Sequence, residues 1–211
     1  MGFAVQCSDL QFDYGATQAF EFPDVSLASG EHLLILGPSG VGKTTFLHLL
    51  SGILPASSGQ IAINGIEITE LGRKRLDAFR GEEIGLIFQQ YHFVRSLTVA
   101  ENLRLRQQFP KQQGDKAYLK GIAERLGLTD HLNKSVNHLS QGQQQRLAIG
   151  LGLIHKPKVV FADEPTSNLD DANCEKVITL LKDEADLCGS SLVIITHDQR
   201  VTQHFPNQIV L

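Results

Sequence analysis

The chain has 211 residues, 42% hydrophobic and 20% charged, with a formal net charge of −4. That is ordinary globular composition: enough chain to bury a core without disulfides, and no global basic field of the kind that selects nucleic acid. Cys7, Cys174 and Cys188 show no metal-ligand spacing and fit a reducing compartment. No basic leader opens the sequence, and the apolar stretch from Leu147 to Ile154 is shorter than the roughly 20 residues of a bilayer span. Neither a signal peptide nor a membrane helix is therefore expected.

Residues 3 to 30 read as short strands with turns. Val25, Leu27, Ile61, Ile63, Ile66 and Ile68 alternate with small or polar neighbours, and Asn64-Gly65 is a two-residue hairpin signal. A small antiparallel sheet should thus flank the segment between them. Within it, Tyr14 either stacks on a flat base or packs on the core. The flanked segment opens with His32-Leu33-Leu34-Ile35-Leu36, a short apolar run that reads as a buried parallel strand. Gly37-Pro38-Ser39-Gly40-Val41-Gly42-Lys43-Thr44-Thr45 follows and fits the phosphate-loop pattern G-x-x-x-x-G-K-[ST]. Its glycines let the backbone bend and aim successive N–H groups at an anion. Lys43 would reach the β- and γ-phosphates, and the Thr44 hydroxyl would sit on Mg²⁺. A helix from Lys43 to Ser51, stopped by Gly52, points its positive end at the phosphates.

Arg73-Lys74-Arg75 and Arg80 read as a solvated helix face. Ile84 to Phe88 is a second buried strand, and Gln89 at its end is placed to hold Mg²⁺ or a water. From 91 to about 152 the character is helical. Thr98-Val99-Ala100-Glu101 is a capping box for a helix that ends by Pro110, and Leu119, Ile122, Ala123 and Leu126 recur at helical spacing. In Leu139-Ser140-Gln141-Gly142-Gln143, Ser140 and Gln143 form a second capping box, unless the run is only a glutamine-rich loop. Val159 to Glu164 is an apolar strand ending in two carboxylates. Asp163 would hold Mg²⁺ through water and Glu164 would polarise an attacking water, the alternative being a helix cap. A helix from about 171 to Leu187 and a strand Ser191–Thr196 follow. His197 at that strand's end is a candidate γ-phosphate contact.

Together these motifs, in this order and over nearly the whole chain, resemble the nucleotide-binding cassette of ATP-binding cassette (ABC) transporters. The look is nearest to the macrolide-efflux and lipoprotein-release ATPases, with the cell-division ATPase close by. The resemblance implies an α/β fold: a P-loop NTPase core (1–90 and 153–211) with a small antiparallel β subdomain, and an inserted α-helical signature subdomain (91–152). It implies ATP hydrolysis with Mg²⁺. Tyr14 would stack on adenine, Gly37 to Thr45 hold the phosphates, and Thr44, Gln89 and Asp163 serve the metal. Glu164, His197, Gln89 and Lys43 would carry catalysis. Ser140, Gly142 and Gln143 would meet the γ-phosphate of a second copy in a head-to-tail dimer that Ser167 to Asp170 crosses. A separate transmembrane permease is the implied partner, with Tyr91, Phe93, Val94 and Leu97 either in its docking groove or in the helical lobe's own core. The implied place is cytoplasmic, peripheral on the inner membrane, with no nucleic acid. A soluble ABC-type ATPase and a nucleotide-gated scaffold are the competing readings.

Three departures stand out. Gln141 occupies the place of the signature's first glycine. Gly150 stands where an arginine is usual, and with Gly152 it lowers helix propensity by about 1 kcal/mol per glycine, so a looser helix is expected. The sequence ends at Val210-Leu211, short of the final strand turn and tail usual in the family, so no appended regulatory domain is expected.

Overall fold

The computed structural model describes residues 2–15, 19–108, 114–167 and 169–211. Pro110, and Asn168 within the stretch from Ser167 to Asp170, lie outside them. Strands β1 (Phe3–Asp13), β2 (Ala19–Glu21), β3 (Val25–Ala28), β5 (Ser58–Ile63) and β6 (Ile66–Glu67) form an antiparallel sheet in the order β2-β1-β5-β6, with β3 also on β1. Asn64 and Gly65 close the β5–β6 hairpin, both at positive φ, as a two-residue primed turn requires. The second sheet is parallel, in the order β10-β4-β9-β8-β7, from β4 (His32–Leu36), β7 (Ile84–Ile87), β8 (Val159–Asp163), β9 (Ser191–Thr196) and β10 (Asn207–Val210).

The parallel strands are apolar on both faces because both faces are covered. Leu33, Ile35, Val159, Phe161, Val193 and Ile195 pack with the antiparallel sheet and with helix α1 (Lys43–Leu50). The alternate residues, among them Leu34, Ile87, Val160 and Ile194, pack on the other side with α3 (Val99–Gln108), α4 (Lys116–Arg125), α5 (Gln141–Leu153) and α6 (Asp171–Cys188). Helix α2 (Arg73–Glu83) carries the basic cluster on a mostly exposed surface and buries only Phe79.

Three expectations change. The helical character begins at Val99, not at 91: residues 91–98 contain no helix. They are held instead by buried Asn102, which accepts from Val94 N at 2.9 Å and donates to the carbonyls of Val94 (3.2 Å) and Thr98 (2.9 Å). Second, the sequence does carry a last strand. Four-residue β10 has no alternation long enough to announce it and exists through its pairing with β4. Third, α5 is not interrupted at its glycines. A Cβ on Gly150 would lie 2.8 Å from Leu126, one on Gly152 2.8 Å from Ile87, and one on Gly85 2.2 Å from the Gly152 carbonyl oxygen. Gly152 and Gly85 let α5 press its backbone onto β7, while Leu126 and Leu103 fill the space a side chain would need at Gly150.

One ion pair ties α4 to α6. Arg125 donates to Glu184 through Nε (2.6 Å) and Nη2 (2.9 Å), and Glu184 is 1% exposed. Arg125→Ala leaves that carboxylate without its partner, although the arginine is 37% exposed at the side chain and its loss lets water in. We expect it to cost about 1–3 kcal/mol in urea denaturation, most of which Arg125→Ala with Glu184→Leu restores.

Candidate active site

The parallel strands deliver their C-terminal ends to one edge of the sheet, the usual place for ligands in open α/β folds. Four of those ends carry the candidate residues: the 37–45 loop after β4, Gln89 after β7, Asp163 and Glu164 at the end of β8, and His197 after β9.

The loop turns where glycine permits. Gly40 and Gly42 have φ of 84° and 107°, a region closed to most side chains. Gly42 is also the residue before α1, and no side chain caps that helix. The first N–H groups of α1 are therefore free to meet an anion. A cavity of about 340 Å³ opens in front, lined among others by Phe20, Ser39, Lys43, Thr44, Gln89 and His197, with Gly40, Gly42, Thr45 and Glu164 completing its wall. Gly37, Pro38 and Val41 build the loop behind it. The buried Lys43 ammonium donates to the carbonyls of Gly37 (2.8 Å) and Pro38 (2.9 Å) and lies 3.7 Å from Glu164 Oε1. A cation thus already faces the cavity from inside its own loop.

Glu164 is held from several sides. Thr196 Oγ1 donates to Oε2 at 2.7 Å, and His197 offers its backbone N–H (3.4 Å) to Oε2 and ring Nδ1 (2.9 Å) to Oε1. Its backbone sits at φ 47°, a left-handed conformation that a non-glycine residue keeps only when its surroundings insist. Asp163, 6% exposed, accepts from Thr44 Oγ1 at 3.1 Å through Oδ2, while its buried Oδ1 has no partner among the described residues. Burial pushes the Asp163 carboxyl up, and the Thr44 hydrogen bond opposes this. An orphaned carboxylate oxygen beside a hydroxyl at a phosphate loop suits Mg²⁺, a hard ion usually held by one or two carboxylates together with substrate phosphates. No cluster of three or more His, Cys, Asp or Glu that would hold a metal unaided occurs among the described residues.

Tyr14 lies beside the loop helix. Its hydroxyl is 2.9 Å from Thr45 Oγ1, its ring makes edge contacts with Phe12 and Phe20, and it is 60% exposed. Phe20 is a site residue that the sequence did not reveal; a Cβ on Gly42 would come within 3.0 Å of its ring. It sits on a three-residue strand, too short for a pattern.

The signature residues stand elsewhere. Ser140 caps α5 by accepting from Gln143 N (3.3 Å), and Gln143 Oε1 accepts from Ser140 N (2.9 Å), so the capping box forms as expected. The Gln143 side-chain nitrogen is also 2.8 Å from His131 Nε2, so that side chain is engaged within its own chain. Ser140, Gly142 and Gln143 line no part of the cavity at the phosphate loop.

A parallel sheet with this loop, two strand-end acids and a glutamine and histidine on the same edge defines a P-loop nucleoside triphosphatase. Residues 22–167 match the sequence model of the family described as "ABC transporter". Among curated relatives, the lipoprotein-releasing system ATP-binding protein LolD of Legionella pneumophila (strain Paris) is 35% identical over 192 residues, covering 89% of this chain and 84% of that one. The bacitracin export ATP-binding protein BceA of Halalkalibacterium halodurans is 38% identical over 178 residues, covering 83% and 70%. Among solved structures, the dimeric post-hydrolysis state of the ATP-binding cassette MJ0796 with ADP and Pi superposes with a TM-score of 0.84 at 31% identity, covering 98% and 94%. The chain belongs to the ABC transporter family: it is an ATP-binding cassette and an ATPase.

Proposed function

We propose that this cassette hydrolyses ATP as one half of a head-to-tail dimer and so drives a separate membrane-embedded partner of the efflux or lipoprotein-release kind. The observation that carries the dimer is the distance in the fold between its two half-sites. The phosphate-loop cavity holds no signature residue, while Ser140 and Gly142 stand exposed at the start of α5. A second copy would bring them to the γ-phosphate. The dimeric MJ0796 cassettes support this arrangement, as does the family resemblance of the signature.

In this reading the core comprises 1–90 and 153–211 and the helical subdomain 91–152. Tyr14 faces the base, and the loop amides with Lys43 neutralise the phosphates. Thr44, Asp163 and Gln89 would hold Mg²⁺, which supplies further charge neutralisation at the phosphates. Phosphoryl transfer to water spreads charge over the γ-oxygens, so positioning and electrostatics do most of the catalysis. Glu164 takes the proton of the attacking water and His197 orients Glu164 and the γ-phosphate. Gln143 contributes by fixing the signature turn rather than through its side chain, which is already engaged.

The partner reading rests on a groove of about 700 Å³ whose lining includes Phe88, Tyr91, Phe93, Val94 and Leu105. Tyr91 and Phe93 also pack against the helical core, and half-buried Leu97 stays out of the groove. No helix among the described residues is long and apolar enough to cross a membrane; the peripheral place on the cytoplasmic face that we assign follows from the partner reading and the family resemblance. LolD and BceA, named for lipoprotein release and bacitracin export, support the class of partner.

Purification of the tagged chain from membranes in mild detergent tests this. A stoichiometric polytopic membrane protein is expected; recovery of the chain alone from the soluble fraction at native expression would overturn it. For the dimer, we expect Ser140→Arg to leave the monomer folded and ATP-binding yet to abolish ATP-driven dimerisation in light scattering. Persistence of the dimer in that variant would refute a site completed by the second copy.

A further inference from the structure

Two loops leave neighbouring strands on the site edge: one after β8 that begins with Glu164, and one after β9 that carries His197 and Asp198 into a short 3-10 helix, Gln199–His204, which holds Arg200. Arg200 joins them. Its Nε and Nη2 grip Asp198 Oδ1 (2.9 Å) and Oδ2 (2.8 Å), while Nη1 donates to the Leu169 carbonyl (3.1 Å) and to Asp171 Oδ1 (2.6 Å). Asp198 Oδ2 also accepts from the fully buried Thr166 hydroxyl at 2.9 Å. The Arg200 fork accordingly holds the Asp198 carboxyl well below the usual range. The chain of contacts continues to the reacting end: Asp198 N donates to Thr196 Oγ1 (3.0 Å), which donates to Glu164 Oε2 (2.7 Å). Arg200 lines the same cavity as Gln89, Glu164, Ser167 and His197.

We infer that Arg200 is a positioning residue, a latch that locks Leu169 and Asp171, where the β8 loop enters α6, to the His197 loop and so holds Glu164 and the dimer-facing turn in one working geometry. Its value is not stability. Asp171 is 91% exposed and Arg200 39% exposed at the side chain, and ion pairs this wet contribute little. What the fork supplies is direction: guanidinium offers several donors in a fixed plane, so one side chain can fix two carboxylates and a carbonyl at once. A lysine would keep the charge and lose the simultaneous grip.

The inference rests on the dimeric ATPase reading, and its test separates the two. Hydrogen–deuterium exchange of the nucleotide-free chain reads the latch directly. Arg200→Ala should raise exchange in 166–171 with melting temperature nearly unchanged. Asp171→Ala, which removes one loop-side contact only, should raise it less. In steady-state ATPase assays Arg200→Ala should lower kcat about tenfold with KM within about twofold, because loop misplacement costs rate rather than ground-state binding. Arg200→Lys should fall between the two. Unchanged exchange in Arg200→Ala overturns the latch; raised exchange with unchanged kcat overturns its part in the reaction. An inactive wild-type chain would count against the ATPase reading, while exchange would still decide the latch.

Discussion

Glu164→Gln is expected to bind ATP as the unaltered chain does and to lose about 10²–10⁴-fold in turnover, the range for removal of a general base. The substitution isolates basicity. An amide oxygen can still accept from Thr196 Oγ1, which now reaches Glu164 Oε2 at 2.7 Å, and the left-handed backbone at φ 47° asks no more of glutamine than of glutamate. What disappears is the charge that His197 and Lys43 face across 2.9 and 3.7 Å. ATP should then remain bound between two copies, and light scattering should show a dimer that persists with ATP. Unchanged turnover would remove Glu164 from its role.

Lys43→Ala should abolish useful nucleotide affinity. The ammonium is 6% exposed and already directed by two carbonyls of its own loop, so little ordering remains to be done when phosphates arrive. Charge-assisted hydrogen bonds are worth about 1.5–3 kcal/mol each. Losing one lowers affinity by about 10–10²-fold and losing two by about 10²–10⁴-fold, and calorimetry with ATP measures it. Normal binding by this variant would contradict the loop assignment.

The parts of the site carried by fixed spacing were legible in the sequence. The phosphate loop, the strand-end acids and the Ser140 capping box depend on near neighbours in the chain, and strands His32–Leu36 and Ser191–Thr196 are apolar on both faces, which bounded them to the residue. What was not legible depends on contact between distant segments. The Thr98–Glu101 capping box marks where α3 opens, but nothing local in 91–98 shows that Asn102 ties its backbone in a non-helical form. Gly150 and Gly152 read as weak helix formers because nothing local shows that Leu126 and Ile87 occupy the space. Arg200 is an ordinary surface arginine until β8 and β9 are placed side by side.

The glycine contact between α5 and β7 gives the cassette a mechanical character. Helix α5 is tied near its N-terminal end to the loop after Glu164, through the Gln145 amide and the Pro165 carbonyl, and near its other end it meets β7 backbone to backbone, where a Cβ on Gly85 would strike the Gly152 carbonyl oxygen. A joint with no side chain between its two faces has nothing soft to compress. A displacement of β7, the strand that leads into Gln89 and the groove, therefore passes to the helix as a whole and, in the dimer we propose, to Ser140 at its cap.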